Sequence, residues 1–229
     1  MPSRATTWVV VLSLALASCG DVLGGVGELS RRVVHGRDLP GVVTTTTPVE
    51  APALRLKPVT GLAWSNDGID VGTVGLDRDA LIVAVWRRGN TVDSFVQATR
   101  REIAIALPGI EFPRLVPESV THVSSQLIFD QATGTLDVAN AAAFGMWIGP
   151  PYEAPRSTAQ MVVLRVGLAA PGDDGSEGIQ SFRVTDGREM AWTDGGFVYQ
   201  LFCRTGVTEA ACFEMAGAAV TLSTLVAGS

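Results

Sequence analysis

The chain has few of the residues on which acid–base and nucleophilic catalysis most often depends. It contains only two histidines, His35 and His122, three cysteines and, among 17 basic residues, a single lysine, Lys57. It has no GxSxG elbow, HExxH zinc motif, Walker loop or paired CxxC. These absences argue against the common hydrolase, metalloprotease and nucleotide-binding classes. We therefore assign no catalytic residue and expect no cofactor.

Long apolar runs are also missing, and the N-terminal run is informative because it is short. About ten mostly apolar residues, 8–17, follow the lone charge Arg4. A helix that spans the hydrocarbon core needs about 20 such residues. This order is typical of a signal peptide that is cleaved rather than kept as a membrane span.

The end of this run, Leu16-Ala17-Ser18-Cys19, resembles a bacterial lipobox. The resemblance implies a signal peptide at residues 1–18 and a mature chain that begins at Cys19, whose thiol is lipidated. The alternative is an ordinary secretory signal in which Cys19 has no special role. We expect an exported protein, held by its lipid on the extracytoplasmic face of the cell membrane.

The other two cysteines, Cys203 and Cys212, form an even pair once Cys19 is acylated. In an oxidising, exported compartment a disulfide is the default expectation for such a pair. Their spacing does not fit a CxxC redox or zinc motif. The sequence therefore predicts a structural Cys203–Cys212 bridge that contributes about 2–3 kcal/mol.

Charge and composition separate a tether from a folded domain. The net charge is -6, which disfavours nucleic acid as a partner. Residues 19–60 are rich in Gly, Thr and Pro and predict an extended tether. Residues 61–229 predict one α+β domain, a mostly antiparallel sheet packed against two helices.

The first half of this domain is predicted to contain two strands and a helix. Residues 69–74 and 80–86 are the strands, the second buried and central because its apolar run is continuous. A helix is expected to follow from a cap at Asn90 to the stop at Pro108-Gly109. Charged residues 100–102 are placed on its solvent side.

The second half is predicted to be an antiparallel meander closed by a helix. The expected strands are residues 123–130, 135–139, 160–168, 179–185, 188–193 and 197–203. Asp186-Gly187 and 194–196 are strong hairpin signals because these residues tolerate positive φ. Residues 208–222 are predicted as a buried helix, and residues 141–155 as a loop.

This order of elements resembles the PsbP-like fold of some exported bacterial lipoproteins. The resemblance rests on the segments DALIVAVW (79–86), LPG (107–109) and GFVY (196–199). It implies a non-catalytic, envelope-associated or partner-binding module. The leading expectation is therefore a protein that binds an envelope component, a small ligand or a protein partner.

An envelope hydrolase is the alternative function, and it would depend on His122. On a strand, His122 and Ser124 share a face, and Ser125 is the next residue. A triad also needs an oriented acid and an oxyanion hole, which the sequence does not assign. The other interpretation of His122 is an exposed strand histidine without a catalytic role.

Two further segments each have a binding and a structural interpretation. Asp173, Asp174 and Glu177 lie among glycines, which suits Ca²⁺ but also suits a solvated hairpin loop, and their spacing departs from the EF-hand. Residues 144–152 are dense in aromatics. They either fill the core or present Met146, Trp147 and Tyr152 to a ligand or partner. These six residues complete the set of candidate site residues.

Overall fold

A computed structural model describes residues 55–65, 67–68, 72–89, 94–149, 160–173, 175 and 178–227. These residues belong to one compact unit. The predicted signal peptide, Cys19 and most of the predicted tether lie outside the described residues. Leu56–Pro58 forms a strand, so folded structure extends into the segment predicted as tether.

Twelve strands and four helices make up the described part of the chain, in the order β1 Leu56–Pro58, β2 Ala63–Trp64, α1 Arg78–Arg88, β3 Phe95–Gln97, α2 Arg100–Ala106, β4 Glu111–Pro113, β5 Leu115–Pro117, β6 His122–Ile128, β7 Ala142–Trp147, β8 Gln160–Leu168, β9 Gln180–Val184, β10 Gly187–Asp194, β11 Phe197–Arg204, α3 Glu209–Gly217, β12 Ala219–Thr221 and α4 Leu222–Ala227. No helix in these ranges is long and apolar enough to cross a membrane.

The main sheet has eight strands and is almost wholly antiparallel. Its order is β2-β6-β7-β8-β11-β10-β9, with β3 paired to the far end of β6. Among the described strands, only β2 runs parallel to its neighbour. Two further sheets have two strands each: β1 pairs with β5, and β12 pairs with β4. The predicted α+β class is confirmed.

One face of this sheet is packed against the helices, and we call it the helix face. Successive strand residues point to opposite faces, so it is lined by alternate residues. On the four central strands it carries the fully buried Leu127, Phe144, Leu164 and Leu201. Helix α2 lies against β6, and α3 lies against β10 and β11. These buried side chains form one hydrophobic core with those of the helices.

The predicted pair Cys203 and Cys212 lies in this core at disulfide-bonding distance. Cys203 is on β11 and Cys212 is on α3, with Cα atoms 6.4 Å apart, within the usual range. Both cysteines are fully buried. The pair therefore links the last long strand to the helix that covers it.

The prediction of a central strand at residues 80–86 is wrong, because this segment forms α1. The side chain of Asp77 caps the helix by accepting a hydrogen bond from the Ala80 N–H, at 2.8 Å. Leu81 and Val85, four residues apart, are fully buried, whereas Val83 is exposed. An unbroken apolar run does not distinguish a strand from a helix by its period.

The helix predicted from Asn90 to residue 107 is half wrong. Asn90 itself is outside the described residues, residues 95–97 form β3, and α2 begins only at Arg100. Thr99 is the cap, and its side chain and that of Glu102 form a reciprocal capping box. The predicted stop at Pro108-Gly109 is correct, with Gly109 at φ +89°.

Three other boundaries differ from the predictions. Residues 135–139 make only a single bridge, Leu136 to Phe129, instead of a strand. The segment 141–155, predicted as a loop, contains β7, a central strand of the sheet. The closing helix ends at Gly217, because Ala219–Thr221 pairs with β4. Of the strand predicted at 69–74, residues 69–71 are outside the described residues, and residues 72–74 do not form a strand.

Candidate functional site

The opposite face of the sheet, which we call the open face, is where side chains remain accessible. The register of the strands assigns the following residues to it: His122, Ser124 and Gln126 of β6, Ala143, Gly145 and Trp147 of β7, Val163, Arg165 and Gly167 of β8, Val198, Gln200 and Phe202 of β11, Glu189, Ala191 and Thr193 of β10, and Phe182 and Val184 of β9. None of these residues belongs to the core cluster. Phe182, for example, is 46% exposed.

A pocket of about 280 Å³ lies on the open face over β8, β11 and β10. Its lining residues are Val163, Arg165, Glu189, Gln200 and Phe202. Phe202 is directly opposite Val163 on one side and Glu189 on the other, and Gln200 is opposite Arg165. Two apolar side chains therefore lie side by side, with the two charged groups at diagonal corners.

The charged groups of the pocket differ from those of the helix face in their partners. On the helix face, Arg188 donates to Glu209 at 2.9 Å and to Ser181 at 3.1 Å. In the described part of the chain, neither Arg165 nor Glu189 takes part in an ion pair. Arg165 is exposed and Glu189 is half-buried. The pocket thus offers one guanidinium and one carboxylate to a bound molecule.

His122 lies at the β6 end of the open face, where it is buried rather than exposed. Its ring stacks on Trp147, with centroids 6.4 Å apart and planes at 11°. Burial lowers the pKa of His122 below its usual 6.5, and a weaker hydrogen bond to the Gly149 backbone acts in the opposite direction. The imidazole is therefore neutral at neutral pH.

The two serines near His122 are hydrogen-bonded to other groups. The Ser124 hydroxyl accepts a hydrogen bond from Trp147 Nε1–H at 2.7 Å. Ser125 is on the helix face, where it donates to the Ala98 carbonyl at 2.6 Å. Neither serine is hydrogen-bonded to His122 among the described contacts, so the geometry adds no support to the hydrolase alternative.

The aromatic segment 144–152 divides between the two faces of the sheet. Met146 is fully buried in the core, which is the structural alternative that the sequence left open. Trp147 is on the open face but is only 7% exposed. Tyr152 is outside the described residues. Of the three candidates for a ligand surface, Trp147 is the one that the structure places on the open face.

The acidic segment is described only at Asp173. Its carboxylate accepts hydrogen bonds from the Gly175 N–H and the Thr193 hydroxyl, each at 3.3 Å. Asp174 and Glu177 are outside the described residues. Within the described ranges, no three His, Cys, Asp or Glu residues are grouped so that they could hold a metal ion.

The predicted solvent position is wrong for two of residues 100–102. The Arg100 side chain is only 16% exposed and pairs with Asp67 at 2.6 Å, and the Glu102 carboxylate is buried. The Arg88 guanidinium makes a bidentate pair with this carboxylate, with N–O distances of 2.7 and 2.9 Å. Thr73 Oγ1–H at 2.7 Å and Thr99 N–H at 2.9 Å complete its hydrogen bonds. Burial alone would raise the pKa of Glu102, but these hydrogen bonds outweigh it and lower that pKa. All its contacts are internal, so we assign it a structural role.

The pocket residues do have a signal in the sequence. Val163 and Arg165, like Gln200 and Phe202, alternate with fully buried residues along strands that the sequence predicts correctly. Alternation identifies one accessible face of each strand. It does not show which residues of different strands are neighbours, because that depends on the register.

The open face is thus identified as the candidate site by its geometry: an accessible pocket, an apolar floor and two charged groups without ion-pair partners among the described residues. On the helix face, by contrast, the central residues of the described strands are fully buried. No known protein family, curated protein or solved structure matches the chain.

Proposed function

We propose that this chain is an exported, lipid-anchored protein of the cell envelope that binds a ligand or protein partner through its open face without catalysing a reaction. The pocket on β8, β11 and β10 is the observation that carries the proposal. Its polar lining consists of a guanidinium, a carboxylate and an amide around two apolar side chains. Such a mixture suits recognition of a molecule that has both polar and apolar parts.

The anchoring part of the proposal rests on the N-terminal sequence. A charge, a short apolar run and Leu16-Ala17-Ser18-Cys19 are the pattern of a lipoprotein signal. The net charge is -6, so anionic lipid headgroups repel the domain. Its lipid anchor is then what holds it near the membrane. The resemblance to PsbP-like lipoproteins implies the same setting and a partner-binding role.

Cys19→Ala tests the anchor in a bacterial host that processes lipoproteins. We expect the wild-type chain to incorporate an alkyne-labelled fatty acid and to sediment with the membrane. Cys19→Ala should incorporate none and should leave the membrane fraction. Equal labelling and sedimentation of the two proteins would contradict lipidation at Cys19.

Native mass spectrometry of the full-length, detergent-extracted protein tests the binding face. We expect a copurifying molecule on the wild type and its loss from Phe202→Ala, which removes part of the pocket floor. Phe213→Ala is the matched control, since Phe213 is 39% exposed but lies on α3. Retention of the same molecule by Phe202→Ala would contradict binding through the open face.

A further inference from the structure

We infer that the pocket of the open face binds a zwitterionic short peptide with apolar side chains, its carboxylate at Arg165 and its ammonium at Glu189. This inference rests on the proposed function and names the class of ligand. The lining of the pocket provides one group for each part of such a molecule: a cation, an anion, an amide and an apolar floor.

The spacing of these two strand positions fits a molecule with charged ends. Arg165 and Glu189 lie on either side of β11, offset by two residues along the sheet. Two strand spacings are about 10 Å and two residue rises about 7 Å, which places their Cα atoms about 12 Å apart. An extended dipeptide is about 7 Å long, so an ion pair fits at each end.

The groups between the charges match the middle of a peptide. Gln200 lies next to Arg165 on the central strand of the pocket, and its amide can both donate to and accept from a peptide bond. Val163 and Phe202, both half-buried, provide an apolar surface for side chains. A volume of about 280 Å³ limits the ligand to a small molecule.

Charge complementarity favours a zwitterion over a simple anion or cation. A bound anion would cover Glu189 without pairing it, and a bound cation would do the same to Arg165. Covering a charge without giving it a partner costs free energy, and like charges repel. A molecule with one charge of each sign at its ends avoids both costs.

The experiment is calorimetric titration of leucyl-leucine into the full-length, detergent-solubilised protein. N-acetyl-leucyl-leucine lacks the ammonium group, and leucyl-leucine amide lacks the carboxylate. We expect each blocked peptide to bind the wild type about fivefold more weakly than leucyl-leucine. Arg165→Gln and Glu189→Gln should each weaken the binding of leucyl-leucine by a similar factor.

Titrating each blocked peptide into each variant shows which end of the peptide lies at which residue. The acetylated peptide has already lost its contact with Glu189, so Glu189→Gln should not weaken its binding further. The amide has already lost its contact with Arg165, so Arg165→Gln should not weaken its binding further. Arg183→Gln and Asp186→Asn are the control variants, since both residues are exposed and neither lines the pocket. They should bind leucyl-leucine as the wild type does.

Two results would overturn the inference. One is that leucyl-leucine does not bind the wild type. The other is that Glu189→Gln weakens binding of the acetylated peptide further, or that Arg165→Gln does so for the amide. If leucyl-leucine does not bind, but Phe202→Ala still abolishes binding of the copurified molecule, the inferred ligand class is wrong and the proposed function stands. If that molecule is also independent of Phe202, the proposed function is wrong as well.

Discussion

The two faces of the eight-stranded sheet differ in what their side chains contact, although they alternate along the same strands. On β11, Leu201 is fully buried against the helices, while its neighbour Phe202 is half-buried in the pocket. On β10, Met190 is fully buried and Glu189 lines the pocket. Each strand thus supplies one set of residues to the core and another to an accessible surface.

The faces also differ in how their charges are used. Arg188 on the helix face is bound to Glu209 and Ser181, whereas Arg165 on the open face has no ion pair in the described part of the chain. Internal pairing holds a side chain in place for the fold, and an unpaired charge at a pocket remains available to a ligand. This comparison is why we propose that the helix face stabilises the fold and that the open face binds.

Adjacent substitutions on β11 should show the largest difference between the faces. Leu201→Ala removes a fully buried side chain and should lower the free energy of unfolding by about 2–5 kcal/mol. Phe202→Ala removes a larger but half-exposed one and should cost only about 1 kcal/mol. Urea unfolding of the full-length variants measures both, and equal losses would break the comparison.

Loss of the buried Glu102 carboxylate should cost nearly as much. Glu102→Gln leaves the Arg88 guanidinium without its partner and should lower the free energy of unfolding by about 3 kcal/mol. Glu118→Gln, on an exposed residue, is the control and should change it little.

The effect of Glu102→Gln should depend on pH in a definite direction. The pKa of Glu102 is lowered in the folded chain from its usual 4.5. Its ionised form therefore stabilises the fold fully above about pH 5, and this contribution is lost as the pH falls through the folded pKa. The gap between wild type and variant should narrow in acid; a gap that widened there would contradict the internal pairing.

The cysteine pair should contribute somewhat less. Replacing both Cys203 and Cys212 by Ala opens a short loop with a sequence separation of 9 residues and should cost about 2–3 kcal/mol. Reductant should lower the melting temperature of the wild type but not of the double variant. Two free thiols in the exported, unfolded protein would show that no bridge forms.

The charges of the open face should affect stability least. Arg165→Gln should change the free energy of unfolding by less than about 0.5 kcal/mol, as exposed substitutions usually do. Arg188→Gln breaks contacts to Ser181 and Glu209 and should cost up to about 1 kcal/mol. Urea titration at low salt compares them, and a larger loss for Arg165→Gln would reverse the assignment of the faces.

The parts of the fold that were predictable from sequence carry local signals. Strands β8 to β11 follow from alternation and from glycine-containing hairpins such as Gly195-Gly196, both at positive φ. The β9–β10 turn lies at residues 185–186, one residue before the predicted Asp186-Gly187, and Gly187 is already in β10. Residues 80–86 were not predictable by period, since an unbroken apolar run fits both helix and strand. The start of α2 was predictable, because Thr99 and Glu102 have the spacing of a capping box.

The candidate site was less predictable, because it joins residues that are distant in sequence. Val163, Glu189 and Phe202 become neighbours only when three strands take one particular register. A shift of two residues would keep the same face buried but change the neighbours, and nothing in a single strand excludes it. The burial of the core residues between the sheet and the helices selects the register, which is a property of the whole fold.

The central claim is that ligands bind the open face and not the helix face, and tryptophans report on both. Trp147 is on the open face two residues from Gly145, which is opposite Val163 of the pocket. Trp64 and Trp192 pack on aromatic rings of the core. Fluorine NMR of the full-length protein labelled with 5-fluorotryptophan reports on each of its tryptophans, five in the sequence. Trp64→Phe, Trp147→Phe and Trp192→Phe assign the three signals that the test uses.

The measurement that tests this claim most directly is the fluorine spectrum during titration with a solubilised envelope fraction. We predict that the Trp147 resonance shifts and saturates, while those of Trp64 and Trp192 stay in place. Shifts at Trp64 or Trp192 with Trp147 unchanged, or no shift at any of the three, would contradict binding through the open face.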